Sequence, residues 1–540
     1  AQLGAATRRL VFDEMDGVAD QLGWVEELLE AAPNLRLLAT ARMPLRLAGE
    51  VNLNVPELSV TAASELFRRG MHRVAEVDDF GYEQDEQIEG LVRRIGLSPL
   101  VVELAAAWTR ALSVEELSER LAQTPELLTA APGTAPLTTR FIDVTRDLMS
   151  EAEREALGTL ALIPAGFTAA VARSAANAST FFLLALLERS LIRREGERYT
   201  VHAAIAERYR EGLADPAGAR RRVAAAFSDL ARQLEALPGR ERTTRGYRVA
   251  DAERANLASA LREAASSGDE QAAWPLVRLL RGYLDVRGWA RAGLDLYLEV
   301  EKLLPPPTGA ELRAWVGETI ALYKYQLNDL VGAAERIAGA LALLKPLGPT
   351  KTAGLALNTY GMILATQGEW QEAQRTFARS AAVREQIGDG VGAAQARGNL
   401  AIVLLQMNQH PQALSALRAA LVNYRQVQHY TGVALTQLHI ASLGRESGLL
   451  TLEARNEQAR AALELAESIG YTQVARDAAG ELATGLEEAQ LFADAQEVLE
   501  RALEWVQAGE DEAQRHAYLE RIQRVSLKRQ ALTEELAQRT

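Results

Sequence analysis

The chain has 540 residues, 48% of them apolar, no cysteine and a formal charge of −13 with acids and bases interspersed. Those figures suit several Ala- and Leu-rich, mainly helical domains. They exclude disulfides, thiolate metal sites and thiol nucleophiles, and they argue against a broad nucleic-acid-binding surface. No apolar run reaches the roughly 18 residues of a membrane span and no leader is visible, so a cytoplasmic protein is expected.

Taken in chain order, Arg9 to Asp13 is an apolar run that predicts a buried parallel strand. A helix over Val18 to Ala31 and a second strand, Leu35 to Thr40, complete a β-α-β unit. In an open α/β sheet, ligands sit at the carboxyl ends of the strands. There this unit presents Asp13 and Glu14 on one strand, and Thr40 and Arg42 on the other. That combination suits magnesium and a γ-phosphate: Asp13 to hold a metal-bound water, Glu14 to orient the attacking water, Arg42 to stabilise phosphoryl charge. An apolar run ending in Asp-Glu is also a common strand end with no such role. No Gly-Lys dipeptide occurs, and therefore no G-x-x-x-x-G-K-[ST] phosphate loop. The chain is thus expected to start partway through a nucleotide-binding domain, and to neither bind nor hydrolyse ATP measurably.

Further along, the stretch from Leu35 to Leu58, a helix from Ala62, and the segment Gly96 to Trp108 follow in that order. Together they resemble bacterial STAND ATPases related to NB-ARC domains, nucleotide switches that control larger regulators. The resemblance implies that Arg42 senses the γ-phosphate and that Pro99 packs near the adenine. The turn Gly96-Leu97-Ser98-Pro99-Leu100 carries one residue more than the family's Gly-Leu-Pro-Leu. A plain helix start with Pro in its first turn would read the same way.

From Ser150 the residues give a helix, a turn at Pro164 to Gly166, a helix starting at Thr168 and another over Thr180 to Arg189. Two short strands follow, Leu191 to Arg194 and Arg198 to Val201, so three helices and a hairpin predict a winged-helix domain. Its candidate recognition helix is largely apolar, which suits packing rather than a DNA groove. The hairpin ends in Val201-His202-Ala203, which resembles the family's Met-His-Asp motif with only His202 retained. That motif's histidine contacts the β-phosphate of ADP; a satisfied structural histidine is the alternative.

Glu253 to Trp274 and Val277 to Gly288 resemble the linker joining such switches to repeats in LuxR-type regulators. Beyond it, Ala292, Ala333, Ala373, Ala413, Ala454 and Ala495 recur at 41, 40, 40, 41 and 41 residues. Ala321, Gly361, Ala401, Ser442 and Ala483 lie twelve before the last five; Ala340, Ser380, Ala420, Ala461 and Ala502 lie seven after them. Small residues at fixed offsets let paired helices pack closely, and Gly361, Ala373 and Phe377 fit the tetratricopeptide pattern. Candidates for a partner-binding groove are Trp315, Glu318, Tyr325, Asn358, Gln395, Gln406, His439 and Glu446, unless the groove is merely solvated. A charged capping helix is expected from Ala517.

The expected fold is therefore mainly α. Residues 1–60 form part of an α/β NTPase core and 61–138 a helical lid. Residues 139–215 form a winged helix, 216–270 a linker, and 271–540 an α-α superhelix of tetratricopeptide-like repeats. The resemblance implies ATP or ADP and Mg2+ as cofactors of the parent protein, with none held tightly by this chain. A small-molecule, peptide or protein inducer would bind the repeats and release the switch, which self-associates; no membrane and no direct nucleic-acid contact are expected. The alternative is a repeat scaffold carrying a non-functional ATPase remnant. The six histidines show no metal-ligand spacing and no G-x-S-x-G elbow occurs.

Overall fold

The computed structural model describes residues 8–13, 15, 22–32, 34–41, 44–72, 82–124, 128, 136–238, 241–507 and 512–539. Strands β1 (Arg8–Phe12) and β2 (Leu35–Ala39) flank helix α1 (Gly23–Ala31) and pair in parallel, with Arg8 opposite Leu35 and Phe12 opposite Ala39. Alternation along the strands sends Phe12, Leu37 and Ala39 toward a small core around Met15, Leu22 and Val25. The opposite face leaves Val11 and its partner Leu38 exposed.

Helices α2 (Val60–His72), α3 (Tyr82–Ile95), α4 (Pro99–Trp108) and α5 (Val114–Gln123) follow. Helix α4 is apolar except for Glu103 and is buried from Leu100 to Val102 and from Leu104 to Ala107.

Next come α6 (Leu137–Asp147), α7 (Glu151–Leu160), β3 (Phe167–Thr168), α8 (Ala169–Ala176), α9 (Thr180–Glu188), β4 (Ile192–Glu195), β5 (Arg198–Val201) and α10 (Ala203–Glu211). The three strands form an antiparallel sheet in the order β3-β5-β4. From α7 to β5 this is winged-helix connectivity. Strand β3 was not expected: Thr168 closes it and then caps α8, accepting from Val171 N at 3.3 Å. Gly166 makes the preceding turn possible. Its φ is +71°, and a Cβ there would lie 2.6 Å from the Tyr199 carbonyl oxygen. The apolar helix α9 is not packed on its outer side, where Phe181 is 84% exposed and Leu184 is also in solvent.

Helix α11 (Pro216–Ala236) leads through a π-helical turn (Arg242–Gly246) into α12 (Tyr247–Ser266), α13 (Glu270–Val286) and α14 (Ala290–Leu303). Helix α11 packs against α8 on one side and α12 and α13 on the other. Five helix pairs follow: α15 (Ala310–Gln326) with α16 (Leu330–Leu344), α17 (Lys351–Thr366) with α18 (Trp370–Gln386), α19 (Gly390–Gln406) with α20 (His410–Gln426), α21 (Tyr430–Ser447) with α22 (Leu452–Ile469), and α23 (Thr472–Glu488) with α24 (Phe492–Gln507). Helix α25 (Glu512–Arg539) closes the array: Tyr518 Oη donates to the Arg476 carbonyl at 3.0 Å, and Arg521 and Lys528 both reach Glu487.

One register needs correction. In the fourth pair the buried small residues are Ala441 and Ala462, not Ser442 and Ala461, and Arg455 rather than Ala454 occupies the buried site. The step is therefore 40 residues from Ala321 to Gly361, Ala401 and Ala441, then 42 to Ala483. The two extra residues sit in the α21–α22 connection, where Gly448 takes φ +67° and Leu450 packs onto Gly444. A mean period near 41 had spread this single insertion over two intervals.

Candidate functional site

Thr40, at the end of β2, donates its hydroxyl to Asp13 at the end of β1. The Thr40 amide donates to the Phe12 carbonyl and Met15 N to the Thr40 carbonyl, both at 2.9 Å. The sheet edge thus joins Asp13 and Thr40 as expected. Glu14 and Arg42 lie outside the described residues.

Beside this edge opens a cleft of about 930 Å³. Thr40 and Ala41 line one side, Ser98 to Leu100 a second, Pro136, Thr138 and Thr139 a third, and Arg193 with His202 to Ala204 a fourth. Pro99 and His202, 103 positions apart in sequence, therefore share one cleft with Thr40. The starts of three helices, α4, α6 and α10, meet it. The residues before α4 and α6, Ser98 and Pro136, give no side-chain cap, so their first amide groups have no acceptor from that source. Helix starts carry partial positive charge and favour anions.

His202 caps α10, its Nδ1 accepting from Ala204 N at 3.3 Å. An accepting Nδ1 leaves the proton of the neutral ring on Nε2, making that atom a donor. Arg208, one turn beyond Ala204 on the same helix face, is held by Asp143 through Nε at 2.6 Å and Nη2 at 3.1 Å, and by Glu211 through Nη1 at 3.0 Å. Its hydrogen bond to Asp143, ahead of that to Glu211, pushes its pKa above the usual arginine range. Arg193 is tied more loosely, by one 2.9 Å contact with Glu103. Sequence reasoning missed both arginines. The hairpin register carried the signal for Arg193, which stands opposite Thr200, two residues from His202. Among the described residues no group of three or more His, Cys, Asp or Glu could hold a metal ion. Magnesium usually takes only one or two carboxylates with waters, and Asp13 can supply one.

Strand β5, which leads into His202, is gripped at its other end by α12. Arg198 forms an ion pair with Glu253 and donates to the Ala165 and Gly166 carbonyls at 2.9 and 3.0 Å. Asn256 accepts from Ala165 N at 2.9 Å, and donates to the Gly166 carbonyl at 2.9 Å and to Glu253 at 2.6 Å. Glu253 and Asn256 are 2% and 1% exposed, and this joint satisfies both.

The repeat residues expected to face a ligand divide. Glu318 is fully buried: Arg281 donates to it at 3.2 and 3.1 Å, and Thr359 at 2.6 Å. Asn358 is buried and accepts from Asn399 at 3.0 Å. Both are corrected from ligand-facing to inter-repeat contacts, since a neighbouring helix already uses their polar atoms. Tyr325 bonds Thr366 across units at 3.1 Å, and Trp315 lies edge-on to Trp274, 5.6 Å between rings. Gln395, Gln406 and Glu446 are exposed, and His439 is partly buried.

The tetratricopeptide repeat family model matches residues 352–426. A Mycobacterium tuberculosis protein named as an HTH-type transcriptional regulator is 31% identical over 195 residues, which is 35% of this chain and 22% of that protein. An uncharacterized protein of the same organism is 34% identical over 166 residues, 29% of this chain and 42% of its own length. The chain thus spans about a fifth and about two fifths of these relatives. Among solved structures, a STAND protein with a tetratricopeptide repeat sensor from Pyrococcus horikoshii gives a TM-score of 0.45 at 14% identity, covering 99% of this chain and 82% of that one. A Rap protein complexed with competence and sporulation factor gives 0.39 at 12%, covering 58% and 99%. Neither structural likeness is close enough to transfer a residue's role. This chain carries tetratricopeptide repeats behind a partial α/β unit and a winged-helix arrangement, and among the described residues no single helix is long and apolar enough to cross a membrane.

Proposed function

We propose that this chain is the sensing and switching part of a STAND-type, NB-ARC-like regulator of signalling or transcription, of the LuxR/AfsR kind. The repeats take an inducer, and the cleft is where ATP or ADP is read in the parent protein. The division near residues 60, 138, 215 and 270 belongs to this proposal, as does a cytoplasmic location. One observation carries it: Thr40 beside Asp13, Pro99 and His202 line the same cleft, at which three helices start. The cleft's volume falls within the roughly 300–1,000 Å³ of small-molecule sites.

Bound nucleotide would supply negative phosphate charge. His202 Nε2–H, the uncapped amides of α4 and α6, and Arg193 are the groups suited to meet it. Arg208, already held three ways, fixes the charge of the site rather than swinging to a ligand. The Glu253–Asn256 joint would carry the repeats' state to His202 through β5. An inducer drives such a switch only by binding the open arrangement more tightly than the closed one.

Without a phosphate loop, three charge-assisted bonds of about 1.5–3 kcal/mol each are missing, comparable with the about 8 kcal/mol of micromolar binding. Calorimetric titration of this chain with ATP–magnesium is therefore expected to show no micromolar affinity. Millimolar ADP should still perturb the His202 ring resonance, and Pro99→Ala should weaken that response. No change at His202 at any ADP concentration would overturn the nucleotide reading and favour a repeat scaffold with an inert remnant.

A further inference from the structure

The first helices of successive units pack side by side and share a recurring polar step. Glu318 on α15 accepts from Thr359 on α17 at 2.6 Å, and Asn358 on α17 accepts from Asn399 on α19 at 3.0 Å. Each step joins one residue to another 41 positions later. Because the register is uniform from Ala321 to Ala441, the next step must join positions 398 and 439.

Position 398 is glycine. A Cβ built there meets nothing within 4 Å, so the acceptor's place is open. His439, on the donor side, is partly buried and makes no hydrogen bond to any described residue. Burial also lowers the pKa of its imidazole, so at neutral pH it is an uncharged ring with one N–H donor. Its ring nitrogens are not sealed from solvent, so the N–H is open to an arriving acceptor. Ile402 on α19 and Leu435 on α21 stand exposed on the same helix faces, giving the opening an apolar rim.

We propose that the notch at Gly398 receives a carboxylate or carboxamide oxygen from a side chain of a peptide ligand, which accepts from His439 in place of the missing residue. The ligand's side chain does what Asn358 and Glu318 do one and two units earlier, with its aliphatic stem against Ile402 and Leu435. This rests on the reading that the repeats take an inducer, and narrows that inducer to a peptide with Glu, Gln, Asp or Asn.

Two measurements on the full chain test it. In the first, Gly398→Asn restores the step from within. It should raise the thermal midpoint about 1–2 °C more when His439 is present than in a His439→Leu background. In the second, carbon-13-labelled histidine reports on His439, assigned through His439→Leu, while acetyl-Ala-Gln-Ala-amide or acetyl-Ala-Glu-Ala-amide is added to about 20 mM, suited to millimolar affinity. At least one peptide should shift the signal while the Leu-centred analogue does not, and Gly398→Asn should abolish the response. A shift from the Glu peptide with a raised His439 titration marks a carboxylate ligand; a shift from the Gln peptide alone marks an amide. Equal midpoint gains in both backgrounds, or a signal unmoved by either peptide or moved equally in Gly398→Asn, would overturn the notch. An inducer found to bind the repeats without touching His439 would overturn it too, while leaving the proposed function standing.

Discussion

The front of the molecule and its repeats are both helical, yet they hold together differently. One apolar core runs without a break from Ala63 in α2, through the winged helix and α11 to α14, to Tyr323 in α15. Beyond Tyr323 the array is divided into separate clusters, each shared by neighbouring helices. A continuous core favours unfolding as a unit, whereas serial clusters behave as a chain of nearest-neighbour contacts. The difference teaches where a signal can travel. A disturbance in the front spreads over all of it, while one in a repeat passes unit by unit along bonds such as Glu318–Thr359 and Asn358–Asn399.

Truncation of a large core side chain should break this comparison most visibly. Phe227→Ala is expected to cost about 3–5 kcal/mol and to lower hydrogen-exchange protection throughout the winged helix and α11 to α14. Phe377→Ala, a comparable deletion in the array, should lower protection only from α17 to α19. Loss across the winged helix from Phe377→Ala would erase the distinction. Next in size, Asn256→Leu removes the polar joint while keeping the side chain's bulk, and should cost about 2–3 kcal/mol by leaving Glu253 and the Ala165 amide short of partners. Calorimetry should then resolve the winged helix from the array as separate transitions. Within the array, Gly361→Ala forces a Cβ to within 2.8 Å of the Phe377 ring. About 1–3 kcal/mol of destabilisation, read by denaturant titration, is expected from that overpacking.

A smaller effect is set by pH. Burial, with Arg242 nearby, lowers the pKa of His429 below the usual 6.5, and burial alone lowers that of His439. The unfolded chain then takes up protons that the folded chain resists. Stability from these groups is complete above about pH 6.5 and is lost as pH falls toward the depressed folded values. His429 Nδ1 also accepts from Gly432 N at 3.1 Å to cap α21, a bond that a protonated ring cannot make. Thermal midpoints measured downward from neutral pH should fall, and fall less in His429→Asn, which can still cap. The smallest change is expected at Arg455, buried and paired with Glu488. Arg455→Met should be near neutral, because Glu488 is half exposed and stays solvated without its partner, while an apolar side chain keeps the packing at the buried site.

Much of this was legible in the sequence where a period or a motif was long enough to read. The parallel β-α-β unit followed from two apolar runs flanking a helix, the hairpin from Glu195-Gly196-Glu197 between strand-formers, and the repeats from small residues at fixed offsets. Strand β3 escaped because two residues cannot show an alternation. The slipped register escaped because neighbours such as Ala461 and Ala462 are chemically alike, and only burial tells them apart. Glu318 and Asn358 were misread because the helix face alone does not say whether a polar side chain meets a ligand or a residue 41 positions on. Pro99 and His202, singled out by local stretches that resemble family motifs, line the cleft, while Arg208 depends on Asp143, 65 residues away, and left no local mark.

The lengthened turn at Gly448 has a consequence for building with this array. Units before it share a common 40-residue phase, and the family match from 352 to 426 lies wholly inside that stretch. Modules there can be duplicated or excised in whole steps and still mate with their neighbours. A splice across the turn would instead seat every downstream side chain two places out of phase, so it marks the seam at which chimeras of this protein should be cut.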